Sequence, residues 1–331
     1  MSRLIMGVDG GGTKSHLVLF DASGKCAGVS ACGNLNHEGM EGSFEELETI
    51  LSGFISGALR EAGAGVADIG YAVFGLAGAD TTAQHKIISE ILQRIGVERF
   101  TLCNDAFLGV AAGCPGGTGI CAINGTGSTL AAIDNNGKMI QVAGLGSISN
   151  DCGGSGWYGE KTLGAAYGEL FKRERPTALT PMLFEFAGVT RAADYTDAIA
   201  IGLQNDTLDV ETLNRFAFIA AEADDAVALD ILKMSAEHYS GGIIYLAEEL
   251  DFPKEKTLHV TFAGSVFTKE KVKILPRLIE ERVRTALPGY TVNFLCLDTV
   301  PVAGAVHWAS QISGNEIDMA AIKTALAEAG L

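Results

Sequence analysis

Residues 4–25 read LIMGVDGGGTKSHLVLFDASGK, and residues 119–138 read GICAINGTGSTLAAIDNNGK. Each stretch contains an apolar run, a turn of small residues, a second apolar run and a polar turn that ends in Gly-Lys. In the first of these turns, Asp9-Gly-Gly-Gly-Thr13 corresponds to Asn124-Gly-Thr-Gly-Ser128. Because chance rarely repeats such features in the same order, we predict an internal duplication. The alternative is that both stretches are ordinary hairpins, which also use Gly and Asn in their turns.

The rest of the chain alternates between strand and helix patterns, which indicates an α/β protein. Ser43 with Glu46 is predicted to form a capping box at the start of a helix that reaches about Ala62. Residues 161–256 have a largely helical pattern. The other predicted elements are strands at Tyr71–Phe74, Phe100–Cys103, Leu258–Phe262 and Val292–Leu297, a helix at Thr82–Ile95, and a closing helix that begins at Val302.

Composition restricts the classes of partner. The chain has 331 residues, 47% of them hydrophobic, and a formal net charge of −16. Because binding to nucleic acid or an anionic membrane needs a surplus of Lys and Arg, we expect neither partner. The N-terminus has no apolar signal core and no later stretch reaches the length of a membrane span, so we expect a cytoplasmic protein.

The glycine turns are suited to binding phosphate. Gly10, Gly11 and Gly12 lack a Cβ atom, so their amides can approach phosphate oxygens closely, and Thr13 adds a hydroxyl donor. Asp9 at the end of the strand is a candidate ligand for a hydrated magnesium ion. Neither the P-loop pattern nor the dinucleotide-binding pattern G-x-G-x-x-G occurs.

Asp105 has two interpretations. It follows the predicted strand Phe100–Cys103 and precedes an apolar run, so it could simply cap a helix. Beside two phosphate-binding turns, it could instead be the general base that accepts a proton from a substrate hydroxyl.

These motifs together resemble the superfamily of acetate kinases, sugar kinases, heat-shock chaperone ATPases and actin. Within it, the chain is similar to the N-acetylglucosamine kinase branch of the BadF/BadG/BcrA/BcrD ATPase-like family. The matching segments are the first phosphate motif Asp9–Thr13, the second phosphate motif Gly125-Thr126-Gly127-Ser128, the linking segment Asn104-Asp105-Ala106 and the adenosine segment Phe262-Ala263-Gly264-Ser265.

The resemblance implies two ribonuclease H-like lobes, the duplicated actin-like ATPase fold, with a nucleotide and sugar cleft between them. The lobes are expected at residues 1–115 and 116–301, with residues 161–256 as a helical insertion and residues 302–331 completing the first lobe. It implies ATP and Mg²⁺ as cofactors, with Asp9 on the metal. Residues expected to bind the nucleotide are Asp9, Gly10, Gly11, Gly12, Thr13, Lys14, Gly125, Thr126, Gly127, Ser128, Gly264 and Ser265.

The resemblance also implies the sugar site. Asp105 carries over as the catalytic residue, and the other expected sugar-binding residues are Asn36, His37, Gly144, Gly146 and Asp151. Cys152 stands where the family usually has Glu, which leaves the identity of the sugar open. Two alternatives remain from the residues themselves: Asn36 could only turn the chain, and Asp151 could cap the following helix.

The expected activity is phosphorylation of an amino sugar such as N-acetylglucosamine or glucosamine by ATP, and a homodimer is compatible with it. A second possibility is an ATPase that activates an acyl-CoA dehydratase or reductase through a shared iron–sulfur cluster, but Cys114, Cys121 and Cys152 lack an obvious ligand spacing. A DNA-binding sugar sensor is disfavoured because the chain starts at its first phosphate strand and is acidic.

Overall fold

A computed structural model describes residues 4–331 and contains two five-stranded sheets. In the first sheet the strand order is β3-β2-β1-β4-β5. Its first three strands form an antiparallel meander, and β4 and β5 run parallel to β1. The strands are β1 (Leu4–Gly10), β2 (Ser15–Phe20), β3 (Cys26–Cys32), β4 (Ile69–Leu76) and β5 (Phe100–Cys103).

The second sheet repeats the first in order and direction. Its strands are β6 (Gly119–Asn124), β7 (Ser128–Ile133), β8 (Met139–Ala143), β9 (Thr257–Ala263) and β10 (Thr291–Cys296). They are arranged as β8-β7-β6-β9-β10, with an antiparallel meander followed by two strands parallel to β6. The duplication predicted from the two glycine hairpins is therefore confirmed.

Helices cover the sheets and fill the predicted helical region. The helices are α1 (Ser43–Glu61), α2 (Thr82–Ile95), α3 (Ala106–Gly113), α4 (Ser155–Lys172), α5 (Leu179–Ala187), α6 (Ala192–Gln204), α7 (Val210–Glu222), α8 (Ala226–Glu249), α9 (Ser265–Thr268), α10 (Ile274–Ala286), α11 (Val302–Ser313) and α12 (Met319–Glu328). Five of them, α4 to α8, lie between β8 and β9, as the periodicity of residues 161–256 indicated.

The start of α1 differs from the prediction. Gly42, not Ser43, is the N-cap residue, and Ser43 is the first helical residue with φ of 47°. Ser43 is therefore not the N-cap residue. The Glu46 carboxylate accepts a hydrogen bond from the Gly42 amide at 2.9 Å, but from one residue beyond the N3 position that a capping box uses.

Two helices occupy the space between the sheets. Helix α3 follows the first sheet and packs on β6 and β7 of the second, whereas α11 follows the second sheet and packs on β1 and β4 of the first. The two helices also contact each other through Gly304, where a Cβ atom would lie 2.8 Å from the Ala112 nitrogen and against the Leu108 carbonyl. The linking segment that carries Asp105 is thus held at the junction of the two sheets.

No helix in residues 4–331 combines the length and the apolar character that crossing a membrane requires.

Replacing Gly304 by Ala is expected to lower the free energy of unfolding by about 1–3 kcal/mol, because its methyl group meets backbone atoms that cannot move aside. Gly53 on α1 is the matched control, since an added Cβ meets nothing within 4 Å there. Gly53→Ala should stabilise by about 0.5–1 kcal/mol through helix propensity. Thermal or denaturant unfolding measures both, and a neutral Gly304→Ala would contradict the close helix contact.

Candidate active site

The first glycine hairpin is held at its base and open at its tip. The Gly10 carbonyl accepts a hydrogen bond from the Ala77 amide at 2.8 Å, and the Gly11 carbonyl accepts one from Leu35 at 3.0 Å. Gly12, Thr13 and Lys14 at the tip are exposed, and a Cβ atom on Gly12 would meet nothing within 4 Å. The hairpin therefore combines a fixed base with a tip that a ligand can reach.

The second hairpin is packed against the starts of two helices. The Gly125 carbonyl accepts a hydrogen bond from the Ser155 amide at 2.8 Å. Gly154 and Gly264 both have φ of +86°, and a Cβ on either would approach the hairpin backbone to 2.6 Å or less, Gly154 at the Thr126 carbonyl and Gly264 at Asn124. The structure thus brings together the second phosphate motif and the adenosine segment, which are far apart in sequence. Only glycine allows the contact.

Asn124 organises this hairpin, a role that the sequence analysis missed. It is buried, its Oδ1 accepts from the Gly154 amide at 2.8 Å, and its Nδ2 donates to the Tyr158 hydroxyl at 2.8 Å. Tyr158 continues the chain of hydrogen bonds to Ser235 on α8 at 2.7 Å. Asn124 is the counterpart of Asp9 in the duplication, so this position is structural in one half and carries a carboxylate in the other.

Three carboxylates follow three adjacent parallel strands. Asp9 ends β1, Asp80 lies in the turn after β4, and Asp105 follows β5. Asp9, Gly75 and Cys103 are in register across these strands, so the three side chains come together at one edge of the first sheet. Asp80 was not singled out from the sequence, although its place after a parallel strand is a recognisable signal.

Burial raises the pKa of each of the three carboxyls. Part of Asp9 and Asp105 still reaches solvent, but both are crowded by protein atoms. Burial and, secondly, the charge of Asp105 raise the pKa of Asp9 to about 8. Burial and then the charge of Asp80 raise the pKa of Asp105 to about 6, with the Ala106 and Asp105 amides partly offsetting the rise. Burial is also the main cause that raises the pKa of Asp80.

The capping interpretation of Asp105 is wrong for this structure. Asp105 occupies the N-cap position of α3, but its side chain makes no cap hydrogen bond. Asn104 acts instead, since its Oδ1 accepts from the Ala106 amide at 2.9 Å. No cap hydrogen bond therefore engages the Asp105 carboxylate.

Asn36 and His37 lie over the turn that leads to Asp80. The Asn36 Oδ1 accepts from the Glu38 amide at 3.0 Å, so this side chain does turn the chain, as its alternative interpretation expected. A Cβ on Gly78 would meet the His37 ring at 3.0 Å and would also meet Asn36 Oδ1. His37 is buried and stacks on Phe44 with ring centroids 4.0 Å apart. The side-chain nitrogen of Asn36 remains to donate a hydrogen bond, and His37 Nδ1 is buried without a hydrogen-bond partner.

Asp151 closes a loop rather than capping α4. Its Oδ2 accepts from the amides of Gly144 at 3.0 Å and Gly146 at 2.9 Å, whereas the N-cap of α4 is Gly154. Its Oδ1 is buried without a hydrogen-bond partner and lies 4.0 Å from His238 Nε2. His238, which no sequence motif marks, also lies 3.0 Å from Ser128 Oγ of the second hairpin. Burial lowers the pKa of His238, and Asp151 partly offsets the fall.

A magnesium ion would fit the donors at the edge of the first sheet. A carboxyl whose pKa is raised to about 8 by burial and a neighbouring Asp is one whose charge lacks a counter-ion. Mg²⁺ needs only one or two protein carboxylates when phosphate oxygens and water supply its other ligands. In residues 4–331, no group of three or more His, Cys, Asp and Glu side chains is arranged to hold a metal by itself.

Comparison with known proteins shows where this architecture occurs. The family model described as the BadF/BadG/BcrA/BcrD ATPase family matches residues 6–309. An N-acetylmuramic acid/N-acetylglucosamine kinase of Clostridium acetobutylicum is 26% identical over 268 residues, which is 80% of this chain and 86% of the relative.

Solved structures agree on the fold. A Chromobacterium violaceum protein assigned as an N-acetylglucosamine kinase superposes with a TM-score of 0.64 at 19% identity, over 93% of this chain and 99% of that one. A ROK family glucokinase of Streptomyces griseus, solved with glucose and AMPPNP, superposes with a TM-score of 0.54 at 19% identity, over 93% and 98% of the two chains. The duplicated actin-like ATPase fold is therefore the fold of this chain.

Replacing Asp9 by Asn should stabilise the protein when no nucleotide or metal is bound. Because the pKa of Asp9 is raised from 3.8 to about 8, the folded wild type binds more protons than the unfolded chain between these values and loses stability as pH rises through them. The gain of Asp9→Asn should be absent below about pH 4 and exceed about 1 kcal/mol above pH 8. Thermal unfolding across this range measures it, with the exposed Asp197→Asn as control. A destabilised Asp9→Asn at pH 8 would contradict the uncompensated charge.

Proposed function

The chain belongs to the BadF/BadG/BcrA/BcrD ATPase family, and on this basis we propose that it transfers the γ-phosphoryl group of ATP to a hydroxyl of an amino sugar. N-acetylglucosamine and glucosamine are the first candidates, because the Clostridium acetobutylicum relative is a kinase of amino sugars. The observation that carries the proposal is the Asp105 carboxylate, which makes no cap hydrogen bond and lies close enough to Asp9 to raise its pKa. A hydroxyl acceptor needs a base at this place in the cleft.

The proposal divides the chain into two lobes. Residues 1–115 form the first lobe, residues 116–301 the second, and residues 302–331 return to the first, which the packing of α11 on β1 and β4 supports. ATP lies between them. The tip of the first hairpin, with Thr13 and Lys14, faces the phosphates from one wall, and residues 125–128 face them from the other. Gly264 and Ser265 border the adenosine.

Magnesium accompanies the nucleotide, held by Asp9 together with phosphate oxygens and water. Bound there, it neutralises charge on the transferring group and relieves the cost of the Asp9 carboxylate. Phosphoryl transfer relies mainly on positioning and charge stabilisation, which two rigid hairpins on opposite walls can supply.

Asp105 is the general base. With a pKa of about 6 it is mostly deprotonated at neutral pH, yet it is more basic than an exposed aspartate. It accepts the proton of the sugar hydroxyl as that oxygen forms a bond to the γ-phosphorus and the bond from phosphorus to the ADP oxygen breaks. The products are ADP, the sugar phosphate and a protonated Asp105, which then returns its proton to solvent.

The sugar occupies the space between Asn36 and the loop of residues 144–151. Asn36 donates from its side-chain nitrogen, because its oxygen is bound to the Glu38 amide, and the neighbouring His37 ring is held by stacking on Phe44. Gly144 and Gly146 shape the opposite side, and Asp151 holds both of their amides. The contribution of Asp151 to binding is therefore partly to fix this loop.

The burial of two of the three candidate ligand cysteines favours the kinase over an activator of acyl-CoA dehydratases, while the third, Cys152, is half-buried. Cys114 and Cys121 are buried, and Cys114 Sγ lies 3.3 Å from Thr261 Oγ1 in the core beside α3. Cysteines enclosed in this way cannot ligate a cluster shared with another subunit unless the core opens.

A substrate panel tests the proposed reaction. Purified protein with MgATP is expected to phosphorylate N-acetylglucosamine or glucosamine and to release about one ADP per sugar phosphate, since closure around the sugar excludes competing water. The panel should include glucose, N-acetylmannosamine and N-acetylmuramic acid, followed by ADP release and mass spectrometry of the sugar. Absence of phosphate transfer to every sugar would refute the proposed function.

Asp105→Asn is expected to lower kcat by at least about 100-fold while ATP still binds, because the amide cannot accept the hydroxyl proton. Asp298 is the matched control, since it follows β10, the counterpart of β5, and its carboxylate is 70% exposed and paired with Lys323. Asp298→Asn should retain wild-type kcat. Steady-state kinetics and calorimetric nucleotide binding distinguish the two variants, and equal activity in both would exclude Asp105 as the base.

A further inference from the structure

We infer that Asp80 is a positioning residue that joins the two lobes, and that its hydrogen bond with Gln141 holds the walls of the sugar cleft at their working separation. This inference rests on the proposed function for its effect on catalysis. The hydrogen bonds themselves do not depend on which reaction the cleft performs.

A single oxygen of Asp80 receives two side-chain amides. Asp80 Oδ1 accepts from Asn104 Nδ2 at 2.9 Å and from Gln141 Nε2 at 2.7 Å. Asn104 belongs to the linking segment of the first sheet, whereas Gln141 lies on β8 of the second sheet. The bond from Gln141 thus crosses from one half of the duplication to the other. Because the acceptor is a carboxylate, both bonds are stronger than bonds between neutral groups.

Through Asn104, Asp80 fixes the catalytic segment. The Asn104 side chain is held at both ends, since its nitrogen donates to Asp80 and its oxygen accepts from the Ala106 amide at 2.9 Å. It is also buried. Asp105 lies between these two anchored residues, so its backbone cannot shift without breaking one of the bonds. Displacement of a base by about 1 Å is enough to cost a large part of the rate.

Through Gln141, Asp80 also reaches the loop that closes the sugar site. A Cβ atom on Gly144 would lie 3.4 Å from Gln141 Nε2, so the amide lies against the start of this loop. Gly144 in turn donates its own amide to Asp151 at 3.0 Å. The position of the loop therefore follows the position of Gln141.

The turn that carries Asp80 is tied to the third part of the sugar site. Gln84 Oε1 accepts from the Asp80 amide at 3.1 Å, and Gln84 Nε2 donates to Glu38 Oε1 at 2.8 Å. Glu38 follows Asn36 and His37 directly. The three segments that the proposed function assigns to the sugar thus converge on one aspartate, two of them through its carboxylate and one through its backbone.

Four single variants and one double variant test the inference. Asp80→Ala removes the acceptor, Gln141→Leu removes the donor on the second lobe, and Asp80→Asn keeps an oxygen that can accept both amides. Gln93→Leu is the matched control, because Gln93 is an exposed glutamine on α2. Wild-type unfolding temperature in Gln93→Leu and a measurable cooperative transition in the others establish that each variant folds.

We expect Asp80→Ala and Gln141→Leu each to raise the sugar KM by about 10-fold, and Asp80→Ala also to lower kcat by about 10-fold, because it releases Asn104 as well. ATP affinity without sugar should stay within about 2-fold of wild type, and Asp80→Asn should recover most of the loss. The double variant Asp80→Ala/Gln141→Leu should be no worse than Asp80→Ala within about 2-fold, since both changes break the same bond.

Losses that multiply in the double variant, or a Gln141→Leu enzyme that behaves like Gln93→Leu, would overturn the inference. Unfolding temperatures of the wild type, Asp80→Ala, Gln141→Leu and the double variant test the hydrogen bond independently of the proposed function. If wild type phosphorylates no sugar, the proposed function fails, while a double variant no less stable than Asp80→Ala still supports the bond between the lobes. Additive losses of stability would overturn that bond as well.

Discussion

Close contact between α3 and α11 determines how the two halves of this protein face each other. The contact is possible because Gly304 has no side chain, so the backbone of α11 reaches the Leu108 carbonyl and the Ala112 amide. Each helix follows one sheet and packs on the other, which removes both from solvent. Since Asp105 is the N-cap residue of α3, the packing of α3 on the second sheet places Asp105 where the two sheets meet. The position of the proposed base is thus a consequence of helix packing.

The parallel strands of the first sheet impose a second constraint, which is electrostatic. Three carboxylates at the ends of β1, β4 and β5 are brought together. Burial raises the pKa of all three, and repulsion from a neighbouring Asp adds to the rise for Asp9 and Asp105. Carboxylates with raised pKa values are typical of functional sites. The energetic cost of their charge is relieved when a cation binds, and their raised basicity can serve proton transfer. Asp80 is the one whose Oδ1 accepts two side-chain amides, whereas Asp105 makes no side-chain cap. These different surroundings are the reason for proposing Asp80 as a positioning residue and Asp105 as the proton acceptor.

The duplication has been used differently in its two halves. At the end of the first strand, one half has Asp9 and the other has Asn124, whose amide binds Gly154 and Tyr158. After the last strand, one half has Asp105 in the cleft and the other has Asp298, which is exposed and paired with Lys323. The two halves thus share a strand arrangement but differ in the polar residues at corresponding positions. In the proposed reaction, the first half handles proton and metal, and the second half encloses the nucleotide.

The sequence by itself determined the duplication, the order of strands and helices, and the glycine motifs, because these depend on local turn chemistry and on periodicity that a single stretch reveals. It also offered a cap and a base as interpretations of Asp105, and the structure decides only against the cap, since Asn104 Oδ1 accepts from the Ala106 amide. Ser43 was assigned to the wrong cap position because one residue of register is decided by the preceding turn. Asp80 was recognisable only by its place after a parallel strand, and its role was not, since the partners of Asp80, Gln141 and His238 lie 24 to 110 residues away in the chain. Only tertiary packing brings such groups to hydrogen-bond distance, and only burial sets the pKa values that separate their roles.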